Sequence, residues 1–183
     1  MIQITQKLSL QPIKDVDSIG LYNLMNIIYP KAYSHFWKDN GRWYVDKQYS
    51  KENIEKELLE EKSDYYFVVF NNERIGNFRV LWNYNLLGLE NKKSVKLHRI
   101  YLHSKSHGNG IGKTLVTWLE NLAYQKGYEL IWLDAMDEQP QAYQFYCKLG
   151  YQYFSHEFLN FDLLYDKVRK ISQLYKELKK KDI

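Results

Sequence analysis

Apolar residues change their spacing several times along the chain, and each change marks an element. The first regular pattern is helical: Leu21, Leu24, Met25 and Ile28 recur at intervals of three and four after Asp15 and Asp17, and Pro30 is expected to end the helix. A short edge strand over residues 2–6 precedes it. A second helix is predicted from Ser50, where Ser-Lys-Glu-Asn supplies an N-cap and an early acid, with Ile54, Leu58 and Leu59 on one face. Between them, residues 29–49 follow no legible period but carry Tyr33, Phe36, Trp37, Trp43, Tyr44 and Tyr49, a density of rings that suits a lid or wall. Two strand runs, 65–70 and 74–81, flank Asn71-Asn72-Glu73 and predict an antiparallel hairpin, and residues 83–93 read as a loop. In the run 95–103, Leu97, Ile100 and Leu102 abandon strict alternation between 97 and 100, which predicts a bulge near His98 and Arg99.

Beyond a glycine-rich loop, Leu115, Trp118, Leu119, Leu122 and Ala123 return to helical spacing until Gly127. Residues 129–135 are a buried strand, so strand, helix and strand in that order predict a parallel pair with a right-handed crossover. Pro140 opens a short helix over 141–149, Gly150 ends it, and 151–158 is another strand. From residue 163 onward, Leu164, Val168, Ile171, Leu174, Tyr175 and Leu178 predict an amphipathic C-terminal helix over about 163–181. Its apolar stripe must pack on its own domain or on a second subunit, and a homodimer is expected on that ground. No internal repeat interrupts the pattern, and 183 residues suit one domain, 1–183, with one buried core.

Composition narrows the function classes. The single cysteine, Cys147, excludes an internal disulfide framework and a multi-cysteine metal site, no metal is expected, and the usage fits a reducing, cytoplasmic setting. Cys147 itself reads as a small buried residue, since no His-Asp partner set accompanies it. The N-terminus lacks a basic start followed by an apolar core, and no stretch nears the roughly 20 apolar residues of a membrane span, so neither secretion nor membrane insertion is expected. The net charge of +4 lies partly in Lys176, Lys179, Lys180 and Lys181, which alternate with Glu177 and Asp182. That pattern reads as a solvated helix end with its cations near the C-terminal dipole and is too weak a basic signal for nucleic acid.

The chemistry concentrates in His107-Gly108-Asn109-Gly110-Ile111-Gly112-Lys113. Three glycines between a strand and a helix let the backbone approach an anion and aim unpaired N–H groups at a phosphate, although a tight turn would also use them. Gly112-Lys113-Thr114 resembles the end of a P-loop, with Asp134 in the place of a magnesium-holding acid, but the glycine required five positions before Gly112 is His107. The glycine spacing also misses the dinucleotide fingerprint.

Leu97-His98-Arg99-Ile100-Tyr101-Leu102, followed by His107-x-x-Gly110-x-Gly112 and the helix with Leu115, resembles the cofactor motif of the GCN5-related N-acetyltransferases (GNAT). His107 stands where that family's loop has Gln or Arg. A second stretch, Ala142 to Tyr151 with Phe145, Tyr146 and Gly150, resembles the family's later Ala-x-x-Phe-Tyr-x-x-x-Gly-Phe segment in the right order. The likeness is specific over about 65–151, where it looks most like the bacterial diamine and polyamine acetyltransferases, and is absent from the terminal helix.

The resemblance implies an α/β (α+β) fold: a central mixed, mostly antiparallel sheet with a parallel splayed strand pair and flanking helices, to which the C-terminal helix is extra. It implies acetyl-coenzyme A as cosubstrate, with Ile100, Tyr101 and Leu102 along the pantetheine arm, residues His107, Gly108, Asn109, Gly110, Ile111, Gly112 and Lys113 at the pyrophosphate, Gln139 as an amide for the arm, and Lys148 near the adenosine phosphate. The acceptor is a small-molecule primary amine that attacks directly through a tetrahedral intermediate. Tyr146 takes the family's place as proton donor to the departing thiolate, and His98 is the candidate base, ahead of Glu73, Glu90, Asp137 and Glu138. A protein that holds coenzyme A without transferring the acetyl group is the alternative.

Overall fold

The computed structural model describes residues 1–106 and 108–179; His107, Lys180, Lys181, Asp182 and Ile183 lie outside the described residues. One eight-stranded sheet runs through the molecule in the order β1-β2-β3-β4-β5-β6-β8-β7. The strands are β1 (Ile2–Gln3), β2 (Leu8–Pro12), β3 (Ser63–Phe70), β4 (Glu73–Trp82), β5 (Ser94–Leu102), β6 (Leu130–Met136), β7 (Gln152–Phe158) and β8 (Lys170–Glu177). Neighbours are antiparallel except β5 and β6, the expected parallel pair. Helices α1 (Ser18–Tyr33), α2 (Arg42–Gln48) and α3 (Lys51–Leu58) cover one face, while α4 (Ile111–Gln125) and α5 (Pro140–Lys148) contribute to the core on the other.

Side-chain alternation on β3 shows how the two cores form. Tyr66 and Val68 join the cluster of Leu115, Val116 and Leu119 from α4, whereas Tyr65, Phe67 and Val69 join Leu21, Met25 and Ile54 from α1 and α3. The β3–β4 hairpin turns on Asn71 (φ 49°) and Asn72 (φ 67°), the left-handed pair that a two-residue turn needs and that asparagine tolerates. Ser50 caps α3 as the sequence predicts, its Oγ accepting from the N–H of Asn53 at 3.1 Å.

Several expectations are corrected. Pro30 does not end α1, which continues to Tyr33 because Tyr29 and Tyr33 stack on each other (4.9 Å) and against neighbouring rings, so tertiary contact outweighs the lost hydrogen bond. Leu59 is exposed, outside the buried face of α3. The edge strand stops at Gln3 and pairs with β2, which the irregular pattern around Ser9 and Gln11 concealed.

The largest correction concerns the C-terminus: residues 170–177 form β8, a strand, and not part of an amphipathic helix. Leu164 and Val168, which supplied the first turns of the apparent stripe, belong to an irregular segment packed against α1 and α2. β8 sits between β6 and β7 and pairs with both, so its polar centre is satisfied across the ladder: Ser172 Oγ donates to Asp137 at 2.5 Å and Gln173 Nε2 to Glu157 at 3.1 Å. The homodimer expectation rested on that helix and loses its basis.

Beneath the middle of the sheet lies a buried ion cluster. Arg79 of β4 and Arg99 of β5 face each other in register, and both guanidinium groups contact the carboxylate of Glu57 from α3, Arg79 at 3.2 Å. Arg79 also reaches Glu60 at 2.8 Å, and Arg99 reaches Gln48 at 3.1 Å. Removing the shared carboxylate strands two buried cations, which typically costs about 3 kcal/mol or more. Glu57→Gln is therefore expected to lower the unfolding free energy in urea by that order, seen as a lower midpoint with the m-value unchanged; an unaltered midpoint would show that the cluster holds nothing together.

Candidate active site

The site is built where β5 and β6 part. Their parallel pairing runs from Ser94 opposite Leu130 to Leu97 opposite Leu133 and goes no further. Beyond it each strand keeps its outer partner, β5 with β4 and β6 with β8. The β5–β4 register shifts there: Arg79 pairs with Arg99 and Val80 with Leu97, so His98 is the additional residue of a bulge, as the broken alternation predicts. The extra residue reverses side-chain parity. Val95 and Leu97 join the α4 side before it, Ile100 and Leu102 pack there after it, and Tyr101 turns to the opposite face.

Ile100, Tyr101 and Leu102 thus border the gap with backbone that β6 does not pair. At its far end, Gly108 (φ 81°) and Gly110 (φ 69°) hold left-handed conformations, with no atom within 4 Å of where a Cβ would stand. Gly110 immediately precedes α4 and has no side chain to cap it, so the N–H groups of the first helical turn from Ile111 to Lys113 lack helical acceptors. Gly112 faces Phe145 and Leu102, at 3.4 and 3.8 Å from where its Cβ would stand, Lys113 follows it on α4, and Lys148 is exposed on α5. Open backbone, unpaired N–H groups and adjacent cations fit an anion on an extended arm.

Two concavities meet at Gln139. An outer groove of about 330 Å³ runs between Ala32, Leu102 and Pro140, and an inner cavity of about 210 Å³ lies between the split strands and the α1–α2 region. Gln139 lines both, but its Nε2 donates to the carbonyl of Ala32 at 3.1 Å, so the amide expected to serve the arm already ties α5 to α1.

Tyr146 of α5 is buried against the inner cavity, and burial, followed by Tyr33, raises its phenol well above the ordinary tyrosine range. The group stays protonated and available as a donor. Cys147 beside it is exposed, contrary to the buried residue expected, because α5 turns that position outward.

His98 also lines the cavity, in an environment that does not suit a base. Its Nδ1 lies 2.8 Å from Arg79 Nη1, and a guanidinium only donates, so Nδ1 accepts and the proton of the neutral ring rests on Nε2. Burial, then the positive charges of Arg99, Arg79 and Lys96, push its pKa down to about 2. The ring is thus a neutral donor. Glu73, Glu90, Asp137 and Glu138 are not among the cavity's lining residues, and Asp137 is engaged with Lys170 at 2.7 Å.

The aromatic segment 29–49 contains α2, which its ring-rich pattern hid, and forms the cavity's opposite wall. Tyr29 stacks on Tyr44 at 4.3 Å, Trp37 donates from Nε1 to Tyr29 Oη at 3.0 Å, and the Tyr44 and Tyr101 hydroxyls lie 3.3 Å apart. Phe161 completes the wall against Trp37 and Trp43 at 5.9 and 5.3 Å. Sequence reasoning missed Phe161 and the cavity role of Asp134, whose carboxylate lies 2.6 Å from Lys96; Asp134's place at the end of an apolar strand was the available signal.

His98 gives a pH test. A folded ring titrating near 2 and an unfolded one near 6.5 mean that the unfolded chain binds the extra proton between those values. The contribution of His98 to stability is therefore complete above about pH 6.5 and lost as pH falls toward 2. By NMR, the His98 ring is expected to hold one neutral shift from pH 8 to pH 4.5; a titration with a midpoint near 6.5 would refute the assignment.

The family model described as Acetyltransferase (GNAT) family matches residues 20–151. Among curated proteins, the uncharacterized protein YyaT of Bacillus subtilis (strain 168) is 32% identical over 105 residues, which span 57% of this chain and 64% of that protein's own length, a little under two thirds. The fold resembles PaiA N-acetyltransferase from Thermoplasma acidophilum in complex with coenzyme A (TM-score 0.69, 16% identity, 94% of this chain and 99% of that one). It also resembles spermidine N-acetyltransferase from Vibrio cholerae in complex with CoA and spermine (0.69, 18%, 95% and 97%). A third similar structure is the Salmonella typhimurium acetyl transferase that modifies the N-terminal serine of ribosomal protein L7/L12 (0.73, 14%, 97% and 99%). No described helix is long and apolar enough to cross a membrane.

Proposed function

The chain belongs to the acetyltransferase (GNAT) family, and from that premise we propose that it transfers an acetyl group from acetyl-coenzyme A to the primary amine of a small molecule. The observation that carries this reading is the gap between β5 and β6, with Tyr146 on its inner cavity and the glycine loop at its far end. When bound, acetyl-coenzyme A supplies an activated thioester carbonyl and a thiolate leaving group.

The chain's residues divide the work. Exposed backbone at Ile100, Tyr101 and Leu102 holds the pantetheine arm as a neighbouring strand would. The N–H groups from Gly108 to Lys113 hold the pyrophosphate, with Lys113 adding charge and Lys148 serving the adenosine phosphate. His107 stands in the same loop motif.

The amine must lose its proton, normally bound up to about pH 10, before it attacks. His98 does not take that proton, because its Nδ1 lone pair is committed to Arg79. The half-closed aromatic cavity does the equivalent thermodynamic work: desolvation disfavours the ammonium form, so the amine enters neutral and its proton leaves through water. Nε2–H of His98 then orients a polar oxygen or nitrogen in the cavity. Burial keeps Tyr146 protonated, so its phenol hydrogen-bonds the departing sulfur and passes its proton there as negative charge develops on the thiolate. Acetyl-coenzyme A and a single free cysteine both suit a reducing, cytoplasmic setting.

Thiol release from acetyl-coenzyme A across a panel of primary amines tests the proposal. Tyr146→Phe is expected to lower kcat about a hundredfold with the affinity for coenzyme A unchanged. Undiminished turnover in that variant would remove the acid role, and coenzyme A binding with no transfer to any amine would select the non-catalytic reading.

A further inference from the structure

We propose that the acceptor is a compact monoamine with an aromatic or comparably apolar body, and not a polyamine. The inference rests on the acetyltransferase reading for the word acceptor, and on the inner cavity for the chemistry.

Seven rings dominate the wall opposite Tyr146: Tyr29, Tyr33, Phe36, Trp37, Tyr44, Tyr101 and Phe161. They stack and tilt on one another at centroid distances from 4.3 to 6.0 Å, so the wall is preformed and presents ring faces and edges to whatever enters. Burial holds the Tyr29 and Tyr101 phenols in the protonated form, and Tyr33 is pushed up to about 12, so none of the three offers a negative charge near neutrality.

Charge decides against a polycation. Asp134 is the one carboxylate that lines the cavity among the described residues, and Lys96 already pairs with it at 2.6 Å. Lys96 is itself anchored over the Trp132 ring at 4.1 Å, so the pair does not open freely. Below the cavity the charges cancel, with Arg79 and Arg99 set against Glu57 and Glu60. Among the described residues no uncommitted carboxylate there compensates the second and third ammonium groups of a polyamine, which would have to shed water to enter. A monoamine escapes that cost by entering neutral, the form that attacks.

Size points the same way. A dry cavity of about 150 Å³ accepts a benzene molecule. The inner cavity measures about 210 Å³, and part of it, near Ala135, Ala142 and Tyr146, receives the thioester end. What remains suits one ring with a short aminoalkyl arm.

The test is titration calorimetry of the full chain saturated with coenzyme A, using phenethylamine and spermidine as probes, paired with turnover on acetyl-coenzyme A. Phenethylamine is expected to bind at least tenfold more tightly and to show the higher kcat/KM. Tyr44→Leu is expected to weaken phenethylamine about tenfold while coenzyme A affinity holds. Equal or tighter binding of spermidine by the unaltered protein overturns the inference and leaves acetyl transfer standing. Tight phenethylamine binding without thiol release from either amine does the reverse, supporting the pocket and sinking the transfer reading.

Discussion

At His98 two residues of β5 stand opposite one of β4, and the geometry of the site follows from that single insertion. A bulge bends its strand and increases local twist, and here it coincides with the last pairing between β5 and β6. Past it, Arg99 and Tyr101 reach the face covered by α1, α2 and α3, while Ile100 and Leu102 reach the face covered by α4. Without the insertion, the aromatic wall would lose Tyr101, the ion cluster would lose Arg99, and β5 would have no geometric reason to leave β6.

The ion cluster is the counterpart of that bulge. A residue left over in a ladder needs other partners, and Arg79 gives His98 one while pairing with Glu57 and Glu60. The arrangement sets the chemistry of the ring. Burial, and then the two guanidinium groups beside it, hold the imidazole neutral, and the hydrogen bond from Arg79 selects the tautomer that points a proton, not a lone pair, at the rest of its surroundings. A histidine at a strand bulge beside a cavity looks like a base in sequence; its neighbours make it a donor.

Residues distant in the chain converge on the cavity. α1 overrides Pro30 to place Tyr33, α2 brings Tyr44, β5 brings Tyr101, and the irregular stretch before β8 brings Phe161. Gln139 binds the end of α1 to the start of α5, so the wall and the helix carrying Tyr146 are joined where the outer groove meets the inner cavity. Among the described residues the enclosure has one lining carboxylate, Asp134, and it is already paired with Lys96.

Local pattern determined much of this in advance. The Asn71-Asn72 turn, the Ser50 cap, the parity break at His98, the α4 period and the glycine loop were legible because each depends on residues within a turn or two of one another. The family likeness was legible for the same reason, since its two motifs are short and contiguous. What only the tertiary structure decided depends on partners far along the chain. The residues of β8 carry a helix-like spacing, but two ladders outweigh it, and no local period reports an open slot between β6 and β7. The protonation of His98, the commitment of Gln139 to Ala32 and the pairing of Asp134 with Lys96 are likewise set across 19, 107 and 38 positions of sequence, distances over which spacing carries no information and burial decides the energy.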